Sequence, residues 1–404
     1  MFCFLLTKKA KGVALKQQPL LSDMHHIMNK LLLIIFIGSL FISCSDKKSS
    51  VDSGTIIDLE RETPVCISDL FESIEVVLLE TNEQCLVQTI NNLIFHNNRY
   101  YILDERQQKM FCFDSVGKFL FKIDQRGQGP EEYVHINDIN IDPYEQTLLL
   151  LEPWGNLLTF DLDGKFISKM KLPAEITAYN EVHPLNRDTL IFISMNKYSL
   201  VAYSKSTNSI INKQYDDKKG CMFNPIGKTY RYNDQLFYSP TPTNNVRNLS
   251  ENTMFSWNFG KKNNTQKQIN KIKKIVDSGE DCIDMKKNKE FRNFVDEKIL
   301  NYNILSNYET SRYKICVLDY GALKPRYIFF DKQTGKANVF EKTTEGIQFF
   351  RYYFTGESIV VSDLQAPFEH KFYDKSILSE EQRKIIDLQT DDSNPLIIKY
   401  NPKH

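Results

Sequence analysis

The chain has 404 residues, of which 51 are basic and 51 acidic, so its formal net charge is zero. A balance of that kind supplies no global field to steer the protein onto nucleic acid, and no nucleic-acid partner is expected. Its eight cysteines show no C-x-x-C pair, and several sit in apolar stretches such as Met110-Phe111-Cys112-Phe113, where a small hydrophobe is wanted. Buried free thiols are the expected state of those in the body of the chain, although an envelope location would permit a disulfide such as Cys66 with Cys85.

The first informative segment is the apolar run Leu31 to Ile42, entered by Asn29-Lys30 and closed by Ser43-Cys44. It is too short for a transmembrane span and suits the core of a signal peptide. Its end looks like a bacterial lipobox: Ser43 leaves the peptide bond open to a signal peptidase, and the Cys44 thiolate is the nucleophile that accepts lipid. The competing reading is a buried cysteine in an apolar helix. Met28 opens a compact signal peptide of its own, so residues 1–27 are either an extension ahead of the true start or an unusually long leader. Residues 1–43 are therefore set aside as a signal segment, with lipidation expected at Cys44 and a flexible polar tether over 44–54. Ser45 after the cysteine favours, by analogy with lipoprotein sorting, an outer-membrane address facing either the periplasm or the cell surface.

Residues 55–404 form the expected folded body. Two of its segments resemble each other, YYILDERQQKMFCFDSVGKFLFKI at 100–123 and LLLLEPWGNLLTFDLDGKFISKM at 148–170. In each, an apolar strand ends in an acid (Asp104, Glu152), a second strand ends in Phe-Asp, and a turn closed by Gly-Lys leads to a third strand. The step from Asp114 to Asp161 is 47 residues, which suits one four-stranded propeller blade. Gly117 and Gly164 can supply positive φ in the hairpin, and Asp114 and Asp161 can bond its backbone. Weaker copies follow at 189–215, 235–259, 313–341 and 346–364, giving six blades as the natural count, with five or seven as the neighbouring ones. The charged stretch 261–302 breaks the rhythm. Ile269, Ile272, Ile275 and Val276, then Phe291, Phe294, Val295 and Ile299, fall at helical spacing and predict a helical insertion beside the fifth blade. Its lysines are expected to face water, or a partner or surface. Strand-like ends at 73–80 and 394–400 are candidates for the latch that closes the ring. The fold expected is an all-β, six-bladed propeller of four-stranded antiparallel blades with that insertion.

The run Arg126-Gly127-Gln128-Gly129-Pro130-Glu131-Glu132-Tyr133 resembles a signature of the six-bladed β-propeller lipoproteins of gut Gram-negative, Bacteroides-type bacteria. ISDLFESIEVVLLET at 67–81, YYILDERQQKMFCFD and Asp392-Ser393-Asn394-Pro395-Leu396 support the likeness. The resemblance covers both ends of the body and fits poorly between about 175 and 310. It implies a fold and an address, and it transfers no catalytic residue.

Arg126, Gln128 and Glu131 are candidates for one mouth of the ring, where an arginine fork and a carboxamide suit carboxylates or sugar hydroxyls. The structural alternative is a tight crossing between blades that needs glycine and proline for its backbone, with Arg126 paired to a nearby acid. Trp154 sits in a turn, free either to stack on a sugar or to pack on the next loop. Five histidines follow the signal segment, His96, His135, His183, His370 and His404, without a zinc spacing, and no nucleophile elbow or phosphate-cradling loop appears. No metal or cofactor is expected, and turn chemistry accounts for Asp138, Asp142, Asp161 and Asp163. The sequence therefore reads as a lipid-anchored binding or interaction module for a glycan, peptide or protein. One rival is a propeller hydrolase or lyase whose Glu131, Asp104 or Asp319 would meet around a channel metal. The other is a structural subunit of an envelope complex that docks through 261–302.

Overall fold

The structure is a computed structural model that describes residues 55–174, 178–194, 198–216, 229–240, 242–277, 295, 298–321, 324–349, 352–362 and 371–404. The signal segment, Cys44 and the tether lie outside the described residues, as do Cys221, Cys282, Phe291 and Phe294.

The described residues form six four-stranded antiparallel sheets, each a blade whose first strand lies nearest the ring axis. Blade 1 runs through Asn92–His96, Arg99–Asp104, Lys109–Asp114 and Phe119–Ile123, and blade 2 through Asp138–Asp142, Thr147–Glu152, Asn156–Asp161 and Phe166–Lys171. Blade 3 takes Tyr179–Pro184, Thr189–Ser194, Tyr198–Ser204 and Ser209–Asp216, and blade 4 takes Thr229–Tyr232, Gln235–Tyr238, Asn245–Asn248 and Thr253–Ser256. Blade 5 contains Asn303–Glu309, Tyr313–Asp319, Pro325–Asp331 and Lys336–Phe340. Blade 6 is composite: Tyr353–Thr355, Ser358–Ser362 and the C-terminal Leu396–Pro402 are completed by Phe71–Leu78 from the other end of the chain.

Burial explains the hydrophobic pattern. Thr147–Glu152 is buried at every position, because a second strand has a neighbouring blade on both faces. Outer strands such as Phe119–Ile123 keep water on one side and mix exposed with half-buried residues. The core is accordingly a set of wedges between blades. Tyr101, Met110 and Cys112 of blade 1 pack on Ile139, Leu148 and Leu150 of blade 2, and Leu149, Leu151 and Leu157 continue onto Val182, Leu190 and Phe192 of blade 3.

The hairpins at the repeat behave alike. Asp114 Oδ1 accepts from the backbone N–H of Val116 and Lys118 at 3.0 and 2.8 Å, and Asp161 Oδ1 accepts from Asp163 and Lys165 at the same two distances. Gly117 and Gly164 take φ of +88° and +85°, the left-handed region that a side chain penalises. Both strand-like ends serve the latch, since they pair with each other: Val76 lies opposite Ile398 and Leu78 opposite Leu396.

Ahead of the latch, residues 57–65 form a strap. Ile57 N–H bonds Asn258 at 2.9 Å and Thr63 N–H bonds Val339 on the outer strand of blade 5 at 2.7 Å. The insertion falls between blades 4 and 5 and contains a helix, Gln266–Asp277. Ile272 is fully buried and Ile269 half-buried, so the predicted apolar stripe faces the body at those positions. Cys66, Cys85, Cys112 and Cys316 are free thiols, the last three buried.

Candidate functional site

In a blade of four antiparallel strands the chain enters the first strand and leaves the fourth at the same end. All six crossings between blades therefore share one end of the ring, together with the turns between second and third strands. The run Arg126–Tyr133 belongs to the crossing from blade 1 to blade 2, and Trp154 to a turn of blade 2, so the topology brings both to one mouth.

The crossing is folded tightly on itself. Gly127 N–H bonds the Tyr133 carbonyl at 2.8 Å, and Tyr133 N–H bonds the Gln125 carbonyl at 3.1 Å. The Tyr133 ring is buried and its hydroxyl donates to the Gln108 carbonyl at 2.8 Å. Gly129 N–H donates to Glu132 Oε2 at 2.8 Å, and that carboxylate occupies the space a β-carbon on Gly127 would need. Both glycines are thus fixed by close approach to Glu132. Glu152 holds the far side, accepting from Val134 N–H at 2.7 Å and His135 N–H at 3.4 Å. Asp104, its counterpart in blade 1, accepts from the N–H groups of Gln88 and Thr89 at 2.7 and 3.1 Å. In these two blades the acid ending the second strand therefore ties down the chain entering its own blade. Burial opposes ionisation of Asp104, but hydrogen bonds from Gln107, Gln88 and Thr89 outweigh it and hold the carboxyl below its usual range.

What this frame displays is an exposed rim. Arg126, Gln128 and Glu131 are exposed, and Arg126 makes no ion pair among the described residues. Trp154 is 66% exposed, with its ring centroid 5.8 Å from that of His135 at 58°. Burial pushes the His135 pKa down and the Arg126 guanidinium pushes it further, against the opposing charge of Glu152. An imidazole, an exposed indole and a free guanidinium thus share the rim. That surface can stack on an apolar ring face and grip an acceptor beside it.

Nearer the axis lies a cluster that sequence reasoning missed. Each first strand is a sheet edge, and its backbone groups need partners that the blade itself does not supply. Asn92 Nδ2 of blade 1 donates to Asp138 Oδ1 and the Ile139 carbonyl of blade 2 at 2.8 and 3.1 Å, and Asn140 Nδ2 donates to the Val182 carbonyl of blade 3 at 2.8 Å. Asp138 Oδ2 accepts from Val182 N–H at 2.9 Å, so this residue joins three blades. Turn chemistry describes Asp142 and Asp161, but Asp138 corrects that expectation: it is a strand residue accepting from the Asn92 side chain of one neighbouring blade and from the Val182 N–H on the edge of the other. Full burial, and then the charge of Glu181, raise its pKa well above the ordinary carboxyl value. The available signal was the polar-apolar alternation of Asp138-Ile139-Asn140-Ile141-Asp142.

Glu181 Oε2 accepts from His183 Nε2 and Thr229 Oγ1, both at 2.8 Å, while its buried Oε1 has no partner among the described residues. Asn140 Nδ2 faces His183 Nδ1 at 3.1 Å, which places the ring proton on Nε2. Thr229 Oγ1 also lies 2.8 Å from His183 Nε2. Hydroxyl and carboxylate therefore share one ring nitrogen, and the imidazole cannot relay a proton between them as in a nucleophilic triad.

Among the described residues, the acids of the hydrolase alternative form no group arranged to hold a metal. Asp104 is committed to its own turn in blade 1, Asp319 accepts from Gly321 N–H at 3.0 Å in blade 5, and Glu131 points into solvent at the crossing. Among the described residues no group of three histidine, cysteine or carboxylate side chains is arranged to hold a metal.

A family model described as a domain of unknown function, DUF4934, matches residues 54–401. The chain belongs to the DUF4934 family. The crystal structure of a protein described as exported, from Bacteroides fragilis NCTC 9343, is similar to this DUF4934 chain with a TM-score of 0.66 at 16% identity, covering 87% of this chain and 100% of that one. A member of the DUF4221 family from Bacteroides vulgatus aligns with a TM-score of 0.48 at 11% identity, over 84% of this chain and 98% of that one. No curated protein matches the sequence. The first of these structures supports the propeller fold of the DUF4934 chain.

Proposed function

We propose that this DUF4934 chain is a lipid-anchored envelope protein whose propeller acts as a binding module, taking a glycan or peptide on the rim formed by Arg126, Gln128, Glu131 and Trp154. The observation that carries the reading is Trp154: a large aromatic ring, 66% exposed, held on a rigid turn beside His135 and within the field of an unpaired Arg126. An indole exposed on a turn is available to stack on a ligand ring. The anchor rests on Cys44 behind its signal-peptide core, and the exported description of the Bacteroides fragilis neighbour agrees with an envelope or secreted address. Among the described residues no helix is long and apolar enough to cross a membrane.

The test is a glycan and peptide array screened with the body lacking residues 1–44, followed by titration of any hit against Trp154→Ala and Arg126→Gln. Loss of the hit in both variants at unchanged melting temperature is expected. Hits that ignore both substitutions would move the site elsewhere, and mass spectrometry of the mature N-terminal peptide decides the anchor separately.

A further inference from the structure

The strap and the insertion meet where the chain arrives from its N-terminal segment. Ile56 is 65% exposed and packs beside Gly260, Ile57 N–H bonds Asn258 at 2.9 Å, and Lys262 pairs with Glu60. The body is thus entered at the crossing between blades 4 and 5, a few residues before the helix Gln266–Asp277. Ten residues separate Cys44 from Thr55. Ten residues of any chain reach at most about 36 Å.

On the described side of the insertion, Glu60 and Asp58 of the strap face Lys262, and further lysines are left beside them. Ile272 turns one face of the helix into the body, while Lys267 and Lys271 are exposed, as is Lys261 just before the helix. None of these three lysines makes an ion pair among the described residues. This crossing lies three steps round a ring of six from the Arg126 crossing, so the two stand on opposite sides of the same mouth.

We infer that the lysine face of Lys261, Lys267 and Lys271 rests on an anionic lipid surface, so that the ring stands on this rim and lifts the Trp154 rim away from the bilayer. The inference rests on the lipid-anchor reading of Cys44. Two properties of the molecule support an anionic bilayer as the occupant: only ten residues of sequence lie between Cys44 and the strap that packs beside Gly260, and the charge of the lysines complements phosphate headgroups. The arrangement also leaves the ligand rim clear of the surface that anchors it.

The experiment uses the full lipidated chain, reconstituted into vesicles of phosphatidylcholine alone or mixed with phosphatidylglycerol. A fluorophore is placed at Asn270→Cys or, on the far rim, at Val134→Cys, with a quencher on the lipid headgroups. The expected result is quenching at position 270 several-fold stronger than at 134 in the anionic vesicles. That difference should collapse when Lys261→Gln and Lys267→Gln are added, and in about 1 M salt, where charges are screened within roughly 3 Å. Equal quenching at the two positions would overturn the inference, as would a preference indifferent to lipid charge, which would assign the lysines to a protein partner or to water. A mature peptide without lipid would instead sink the anchor itself, so the two failures are distinguishable. Unchanged melting of the glutamine variants shows that they fold.

Discussion

Gly164, in the last hairpin of blade 2, lies against the ring of Phe121 on the outer strand of blade 1, leaving no room for a β-carbon. Gly117 stands in the same relation to the Leu78 carbonyl on the latch strand, so the hairpin of one blade is seated on its predecessor. Gly335, at φ +68°, has nothing within 4 Å of where its β-carbon would be. Gly335→Ala should therefore lower stability by about 1–2 kcal/mol, the strain of a left-handed alanine. Gly164→Ala adds a clash with an aromatic ring and should lose about 3 kcal/mol or more. Denaturant midpoints of the two variants check this, and equal losses would show that the seating contributes nothing.

Asn394, within the late run that resembles the lipoprotein family, is fully buried. Its Nδ2 donates to the Glu80 and Cys85 carbonyls at 2.6 and 2.7 Å, and its Oδ1 accepts from Val87 N–H at 2.8 Å. One side chain thereby ties the C-terminal approach to blade 6 onto the chain leaving the N-terminal strand. Asn394→Ala leaves buried backbone groups without partners, and stability should drop by about 3 kcal/mol. Thermal melting monitored by circular dichroism measures it.

Asp138 gives a pH signature. Burial and Glu181 raise its pKa in the folded ring, so the folded state binds this proton more tightly than the unfolded chain does. Its contribution is fully present below the ordinary aspartate range and is lost as pH rises through the folded-state value. Stability of the native chain should accordingly fall across that window, and Asp138→Asn, which carries no titrating proton, should flatten the fall. Melting temperature against pH for both proteins is the measurement. Parallel curves would remove Asp138 from the account.

The two tryptophans should separate folding from recognition. Trp257 is 6% exposed and its Nε1 donates to Asn307 Oδ1 at 2.7 Å between blades 4 and 5. Trp257→Ala should destabilise by about 3–5 kcal/mol. Trp154→Ala should shift stability by no more than about 0.5 kcal/mol while abolishing ligand retention. Chemical unfolding reports the first effect and array binding the second.

The sequence by itself determined the blade. Phe113-Asp114 to Gly117 and Phe160-Asp161 to Gly164 announce a hairpin whose chemistry is local: an acid bonding two backbone groups and a glycine at positive φ, all within five residues. Repetition of that unit announced the ring, and apolar strands at both ends announced its closure. Tertiary structure alone decided which edges those strands satisfy. The work of Asp138 depends on Asn92 and Val182, 46 residues before it and 44 after it, and no local pattern reports a neighbour supplied by another blade. The rim is divided in the same way. Glycines in Arg126–Tyr133 signalled a tight crossing, but that Glu132 fills it, Tyr133 pins it and Trp154 is left exposed beside His135 follows only from strands far apart in the chain being brought to one end of the ring.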